Sequence, residues 1–535
     1  VATMPSENIL PLIILILYMA MTVGIGLYAH RQTEDSSTKS FLTGGGGVGF
    51  WVNGFAIFAA FATGGTMLGN IGLSYSGGWG YITAYNGGVA LGYLITTFFL
   101  AKILRNMNVA TVPELIKARY NHRLMNLTVP IVLIGTLTAY IVAQMKIGGL
   151  IGEQIFGIPY SWSVILIGAV YVFYTFAGGM KAVTLTDFLQ GMMMIGVVLA
   201  TGFIAVNSNG GFSVYEVAQG LRPQWTLAEV YPPISYIGAF LIWATCNAIL
   251  PHTVMRIFAA KDQRTGRASL ALGLGLYVIT GIVTCVFVIA GTIVLTGGED
   301  IKQSDGAFLL FLDQATPNWV RGLAFAGIFA AVMSSVSAML LALSAALSYD
   351  LIAQVRPSTS DETKRKVTRF GILGFGIVTL ILSLNPPEFL TLLYSAAMGL
   401  LASSLFFPTL LGLWWRRISG SAAFVGASVG GISYLILLFG FDLPALSQIC
   451  YSMPLSGIAC VVCAYIFKPA TPQQIRRLTI AHQREVTDDE AEEFNRIAEL
   501  ELRGEAPAAP IPPIHASNKP NNQSETKAAD VSYKD

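Results

Sequence analysis

Long apolar runs dominate this chain. Runs of about 18 residues or more, enough to cross a hydrocarbon core of roughly 30 Å, fall at 8–29, 50–76, 79–103, 124–155, 160–178, 185–207, 233–258, 268–297, 319–353, 366–385, 388–416, 421–441 and 447–467. Read as helices, they predict an all-α integral membrane protein with about thirteen transmembrane helices. Two runs are interrupted: Phe50 to Gly69 by Thr63, Gly64, Gly65 and Thr66, and a counterpart near residue 247 by Asn247 and Pro251. A break inside a bilayer leaves backbone groups that water cannot satisfy, and it is tolerated only around a ligand or cavity. Paired breaks in the two halves of a polytopic chain point to the central site of a secondary transporter.

Composition excludes a soluble domain, with 54% of residues hydrophobic and only 12% charged. The net charge of +2 says little, but the distribution of charge is informative. Basic residues gather in alternate connections: Arg31 and Lys39; Lys102, Arg105, Lys117, Arg119 and Arg123; Lys181; Arg256, Lys261, Arg264 and Arg267; Arg356, Lys364, Arg365, Lys366 and Arg369; Arg416 and Arg417. The other connections carry Arg222, Lys302 and Arg321 beside Glu299 and Asp300. Because positive charge marks the cytoplasmic side, the N-terminus is expected outside and the C-terminus inside, as an odd helix number requires. The first run lacks a basic leader and a small-residue cleavage site, and so reads as a spanning helix rather than a signal peptide. The five cysteines lie in apolar segments, and Cys460 and Cys463 read as small packing residues rather than a redox or zinc pair. Beyond Lys468 the chain turns polar: 472–503 predicts one surface helix and 505–535 a disordered end, together a cytoplasmic appendage without chemistry of its own.

Enzyme signatures are absent from the sequence. It has no GxxxxGK[ST] phosphate loop, no HExxH and no dinucleotide fingerprint around the glycines at 44–47, so an ion gradient is the expected energy source. The polar groups inside the runs then become the candidates, since an ionisable one costs on the order of 2.5–3.5 kcal/mol at a helix centre unless paired or hydrated. They are Asn53, Gln144, Lys146, Asp187, Gln190, Asn247, His252, Ser334, Ser335 and Ser337. Serine hydroxyls and carbonyls freed at a break are the hard oxygen ligands a sodium ion takes; equally, small serines let helices pack closely.

FAAVMSSVSAMLLALSAALSYDL, AGGMKAVTLTDFLQG at 177–191 and the broken segment at 50–69 together resemble the sodium:solute symporter family over roughly residues 8–467. The resemblance implies a leucine-transporter-like fold with two inverted five-helix repeats. The divisions would be 1–49, an extra N-terminal helix and linker; 50–207, the first repeat; 208–232, an extracellular loop; 233–416, the second repeat; 417–467, two C-terminal helices; and 468–535, a cytoplasmic tail. It also implies a co-transported sodium ion held by the carbonyls of Ala59, Ala62 and Ala331 and the hydroxyls of Ser334 and Ser335. A second cation would use Asp187 and Ser337, although Ala331 and Ala338 lack the side-chain oxygens some relatives have. Asp187 reads equally well as a helix cap or gate pair beside Lys181.

Within the family the closest likeness is to the bacterial monocarboxylate branch of acetate and pantothenate permeases, carried by LPHTVMRIFAAKD at 250–262 and LNPPEFLTLLYSAAMGLLASSLFFPTLLGLWW. That implies a bacterial inner-membrane importer of a small monocarboxylate such as acetate, propionate or a haloacid. Gly65 and Thr66 are too small and too poor in polar groups for a sugar, whereas free amides at a half-helix N-terminus suit a carboxylate at Thr63, Gly64, Gly65 and Thr66. Lys146 is either an attractor for that anion or a side chain snorkelling towards Glu153; Asn247 and His252 are pathway candidates, and Arg256 is an inner-end anchor. The partners are then the substrate and membrane lipid, with no sign of nucleic acid or an obligate protein partner. A pantothenate or proline-type symporter and a membrane nutrient sensor are the other readings.

Overall fold

The computed structural model describes residues 9–33, 38–208, 210–227, 230–301, 304–352, 359–386 and 390–503; the segment expected to be disordered, 505–535, lies outside them. Helix accounts for nearly all the regular structure, and no strand occurs among the described residues beyond one isolated bridge between Val48 and Ala260. Ten described helices are long and apolar enough to cross a membrane, and Ile9–Ile25, Phe50–Phe61 and Tyr160–Phe173 are shorter apolar helices. Every run picked out above carries helix. Their outer surfaces expose large apolar side chains such as Phe203, Phe439 and Ile466, as lipid solvation allows.

Two joints set the path of the chain. Tyr160–Asn207 spans 48 residues, too many for one crossing of a hydrocarbon core, and is two helices joined at a kink. Gly179 divides it, at φ 58° and ψ −161°. Gly78 divides Ile71–Ile95 in nearly the same way, at φ 67° and ψ −162°. Both are second members of a Gly-Gly pair, and both need glycine twice over. A left-handed φ disfavours any side chain, and a Cβ would run into the Phe41 ring at Gly179 and the Trp225 carbonyl at Gly78.

Between these joints the centre is filled by Asn318–Ala345, which carries the three serines and is buried at every position from Ala324 onward. A helix apolar on every side belongs inside, and this one packs on Ile9–Thr33, Arg123–Phe156, Tyr160–Asn207 and the broken segment Phe50–Phe61.

The tail is not the single surface helix expected from its charge. It forms two helices, Pro472–Gln483 and Asp488–Arg503, the first started by a capping box between Thr471 and Gln474. Between them Arg484 grips both oxygens of Glu490 at 2.8 and 2.6 Å. That grip, with the Thr487 amide, pulls the Glu490 carboxyl down to about 2, so it is ionised at neutral pH. The tail docks on the segment around residues 102–121, and the face that carries it is called the tail face below.

Candidate functional site

The first break is a local exchange of hydrogen-bond partners. Phe50–Phe61 ends at Ala62, whose ψ of 65° leaves the helical region. The Thr63 amide then turns to the Phe61 carbonyl at 2.8 Å, and the Thr66 amide to the Thr63 hydroxyl at 3.2 Å. In a continuous helix those amides would serve the carbonyls of Ala59 and Ala62; both are therefore released. The Thr66 hydroxyl donates to the Phe61 carbonyl at 3.1 Å, and the chain resumes as a π-helical turn at Gly65–Asn70. Such turns recur at functional sites.

Across from this break stands the serine helix. Ser334 Oγ donates to the Ala59 carbonyl at 2.8 Å and to the Ala331 carbonyl at 3.1 Å, and Ser335 Oγ to the same Ala331 carbonyl at 3.0 Å. The carbonyls of Ala59 and Ala331 and the two hydroxyls thus converge, three residues before the freed Ala62 carbonyl on the broken segment. All five residues are fully buried, and the set is all oxygen and without net charge. Hydroxyls that now donate to carbonyls can turn to present lone pairs to a cation.

Asp187 and Ser337 part company. Ser337 Oγ donates to the Ser334 carbonyl at 3.1 Å, whereas Asp187 Oδ2 is paired with Arg256 Nη2, both side chains being fully buried. Its partner is Arg256, 69 residues further along the chain, and not the neighbouring Lys181. Arg256 is correspondingly no surface anchor, and its own carbonyl accepts from Asn53 Nδ2 at 3.3 Å. The pair ties the lower half of the second broken helix, Pro251–Ala259, to the helix that carries Asp187.

The substrate candidates divide similarly. A Cβ on Gly64 would lie 3.0 Å from Gln144 Oε1 and 3.2 Å from an Ile147 methyl, and one on Gly65 would lie 3.2 Å from the Tyr394 ring. Gln144 and Tyr394 therefore wall the break. Beyond them runs a chain of buried rings: Tyr140 to Tyr394 at 5.5 Å, Tyr394 to Trp243 at 5.7 Å, and Trp243 to Tyr85 at 4.6 Å between centroids. Both polar atoms of Gln144, the Tyr394 hydroxyl and the Trp243 indole nitrogen are buried without a protein partner, the condition of groups that face a polar ligand. Sequence reading missed Tyr85, Tyr140, Trp243 and Tyr394; aromatic residues with polar tips inside spans facing the break were the signal.

Asn247, at the second break, packs against Gly92, and its amide nitrogen has no protein partner. His252 is buried with neither ring nitrogen bonded, and its ring lies 6.3 Å from that of Phe61. Lys146 is half-buried on Arg123–Phe156. It stands two positions past Gln144, about 160° around the helix from the side chain that walls the break. The structure thus gathers Thr63, Gly64, Gly65 and Thr66 in one place, sets Asn247 and His252 on the second broken helix, and turns Lys146 elsewhere.

This arrangement has relatives. The family model described as the sodium:solute symporter family matches residues 41–430. The chain belongs to the sodium:solute symporter family. It is 27% identical over 442 residues to the osmoregulated proline transporter OpuE of Bacillus subtilis (strain 168), covering 79% of this chain and 87% of that protein. It is 28% identical over 453 residues to the sodium/pantothenate symporter of Escherichia coli (strain K12), covering 81% and 91%. The substrate-bound outward-open state of a Na+-coupled sialic acid symporter superposes with a TM-score of 0.73 at 21% identity, over 87% of this chain and 100% of that one. The fold is accordingly leucine-transporter-like. This symporter is a multi-pass membrane protein, a transporter rather than an enzyme, and sodium is its co-transported ion.

Proposed function

We propose that the symporter imports a small monocarboxylate, such as acetate, propionate or a haloacid, across the bacterial inner membrane. Sodium binds at Ala59, Ala62, Ala331, Ser334 and Ser335 and fixes the freed carbonyls. The anion then binds beside it at Gly64 and Gly65, since the Thr63 and Thr66 amides are taken by the Phe61 carbonyl and the Thr63 hydroxyl, with its apolar end among Tyr140, Trp243 and Tyr394. The repeats at 50–207 and 233–416 give a bundle, made of the two broken helices and the helix after each, that rocks against the remaining scaffold. Opening towards the tail side draws the serine helix from the first break and disperses the sodium ligands. The clustering of Lys39, Lys102 and Arg105 at the tail face supports placing that face in the cytoplasm and the N-terminus outside.

The observation that carries the substrate class is the charge inventory at the break. The side chains nearest Gly64 and Gly65 among the described residues are Gln144, Ile147, Val332, Tyr394 and Thr63, none of them a carboxylate, and Asp187 is already held by Arg256. An amino acid would leave its ammonium group without an acidic partner, whereas a carboxylate has amides and a sodium ion. Pantothenate, itself a monocarboxylate without an ammonium group, is the second reading, favoured by the 28% identical relative.

Uptake of labelled acetate into proteoliposomes tests this, with and without an inward sodium gradient and with propionate, lactate, haloacetates, pantothenate and proline as competitors. The expected result is sodium-dependent uptake suppressed by the short acids. Inhibition by proline alone, or no uptake of any acid, removes the monocarboxylate assignment.

A further inference from the structure

The tail face carries a second construction that the transport reading does not use. The helix ending at Asn106 and the second broken helix ending at Ala259 meet there, and Arg105 joins them, Nε donating to the Ala260 carbonyl at 2.8 Å. The same guanidinium reaches Glu485 of the tail at 2.6 Å. Lys39, in the linker before the first broken helix, reaches Asp488 at 2.9 Å and Asn108 at 2.8 Å. Tail residues therefore bond to Arg105, which holds the end of the second broken helix, and to Lys39, in the short helix Thr38–Thr43 that precedes the first.

Buried polar groups make the docking specific. Arg477 is almost fully buried and donates to the carbonyls of Met107 at 3.0 Å and Asn108 at 2.9 Å. Asn106 is equally buried; its side chain donates to the Ala481 carbonyl at 2.8 Å, and its own carbonyl accepts the Val486 amide at 2.9 Å. These bonds hold the bundle side. On the scaffold side, Asn121, just before Arg123–Phe156, donates to the Ala498 carbonyl and to Glu501, both at 2.9 Å. His482 Nε2 meets the Leu413 carbonyl, near the end of Leu390–Trp414, at 2.8 Å. One folded segment thus spans the two bodies whose relative motion the transport cycle requires. A cleft of about 690 Å³ lined by Lys39, Gly45, Arg105, Phe258, Glu485 and Asp488 admits solvent to the ion pairs.

We propose that Pro472–Gln483 and Asp488–Arg503 form a strap across the tail face, which restrains the inner halves of the broken helices and must loosen each time the protein opens to that side. The inference rests on the alternating-access reading but not on the substrate. Buried Arg477 and Asn106 are the permanent anchor, and the pairs Arg105–Glu485 and Lys39–Asp488, whose carboxylates face solvent, are the adjustable latch, weak individually and open to screening.

Amide hydrogen exchange of the full-length protein in lipid nanodiscs tests it without substrate or transport. Two variants are compared with wild type: E485Q/D488N, which changes exposed side chains only, and R477A, which removes the anchor. Exchange across 50–61 and 251–259 is expected to rise about two- to tenfold in E485Q/D488N and about tenfold or more in R477A. Wild-type exchange of those segments in both variants would overturn the strap, and should R477A fail to fold, an unchanged E485Q/D488N suffices to do so. A failed acetate assay leaves this measurement intact, and the converse also holds.

Discussion

At the first break two threonine hydroxyls replace helical partners over a stretch from Ala62 to Gly64, whereas at the second a single residue, Leu250, turns the chain. Pro251 then starts the new helix with no amide to satisfy, and the amides of Thr253 and Val254 close on the Leu250 carbonyl at 3.0 Å. The first break is open: it releases carbonyls, keeps glycines against Gln144 and Tyr394, and faces the serines. The second is tight, and contributes through side chains at its rim, Asn247 and His252, and through the Arg256–Asp187 pair one turn below. The comparison teaches that two interruptions at corresponding places need not do the same work. One presents backbone to ligands, and the other is a hinge whose lower half is held by charge.

The largest expected effect comes from cutting that charge tether. D187N leaves Arg256 buried without its counter-ion, a loss of about 3–5 kcal/mol, and is expected to abolish most folded protein in a size-exclusion assay. D187N/R256Q, which removes both charges, is expected to recover folding with wild-type sodium activation. Recovery of folding with sodium activation still displaced would instead make Asp187 a cation ligand.

Next comes the open break. S334A/S335A removes two hydroxyl ligands, each worth about 1.5–3 kcal/mol towards a charged partner, and is expected to raise the sodium concentration for half-maximal activation by about a hundredfold or more, while melting near the wild-type temperature. Unaltered sodium activation would dismiss the ion site.

The smallest effects separate the two joints directly. G64A forces a methyl against Val332 and Gln144, an overpacking of about 1–3 kcal/mol, and is expected to slow uptake about tenfold. P251A restores an amide where the turn needs none and is expected to change uptake by less than about threefold. Greater damage from P251A than from G64A would reverse the asymmetry.

How much of this was readable beforehand depends on whether partners are local. The break at 63–66 and the serines were legible because each is a polar interruption of an apolar run. Convergence of the ligands was implied by family resemblance, since spacing cannot bring Ala59 to Ser334. The partner of Asp187 was misjudged because Lys181 is near in sequence while Arg256 is 69 residues away. The aromatic wall was hidden because tyrosine and tryptophan inside spans look like packing or interfacial anchors. The tail read as surface helix because its composition is charged, and composition does not reveal that Arg477 is buried against the carbonyls of Met107 and Asn108.

From Ala324 to Ala345 the central helix is enclosed by protein in the finished molecule, yet it belongs to one of the more apolar spans. During synthesis, however, each span is handed to the bilayer before its later neighbours exist, and must be stable there alone. The serines at its middle satisfy both stages, being small enough to cross lipid and polar enough to serve once enclosed. Asp187 has no such disguise: it leaves the ribosome 69 residues ahead of Arg256. Its helix therefore reaches the membrane before its partner exists, and the carboxyl must stay neutral or near water until Arg256 arrives.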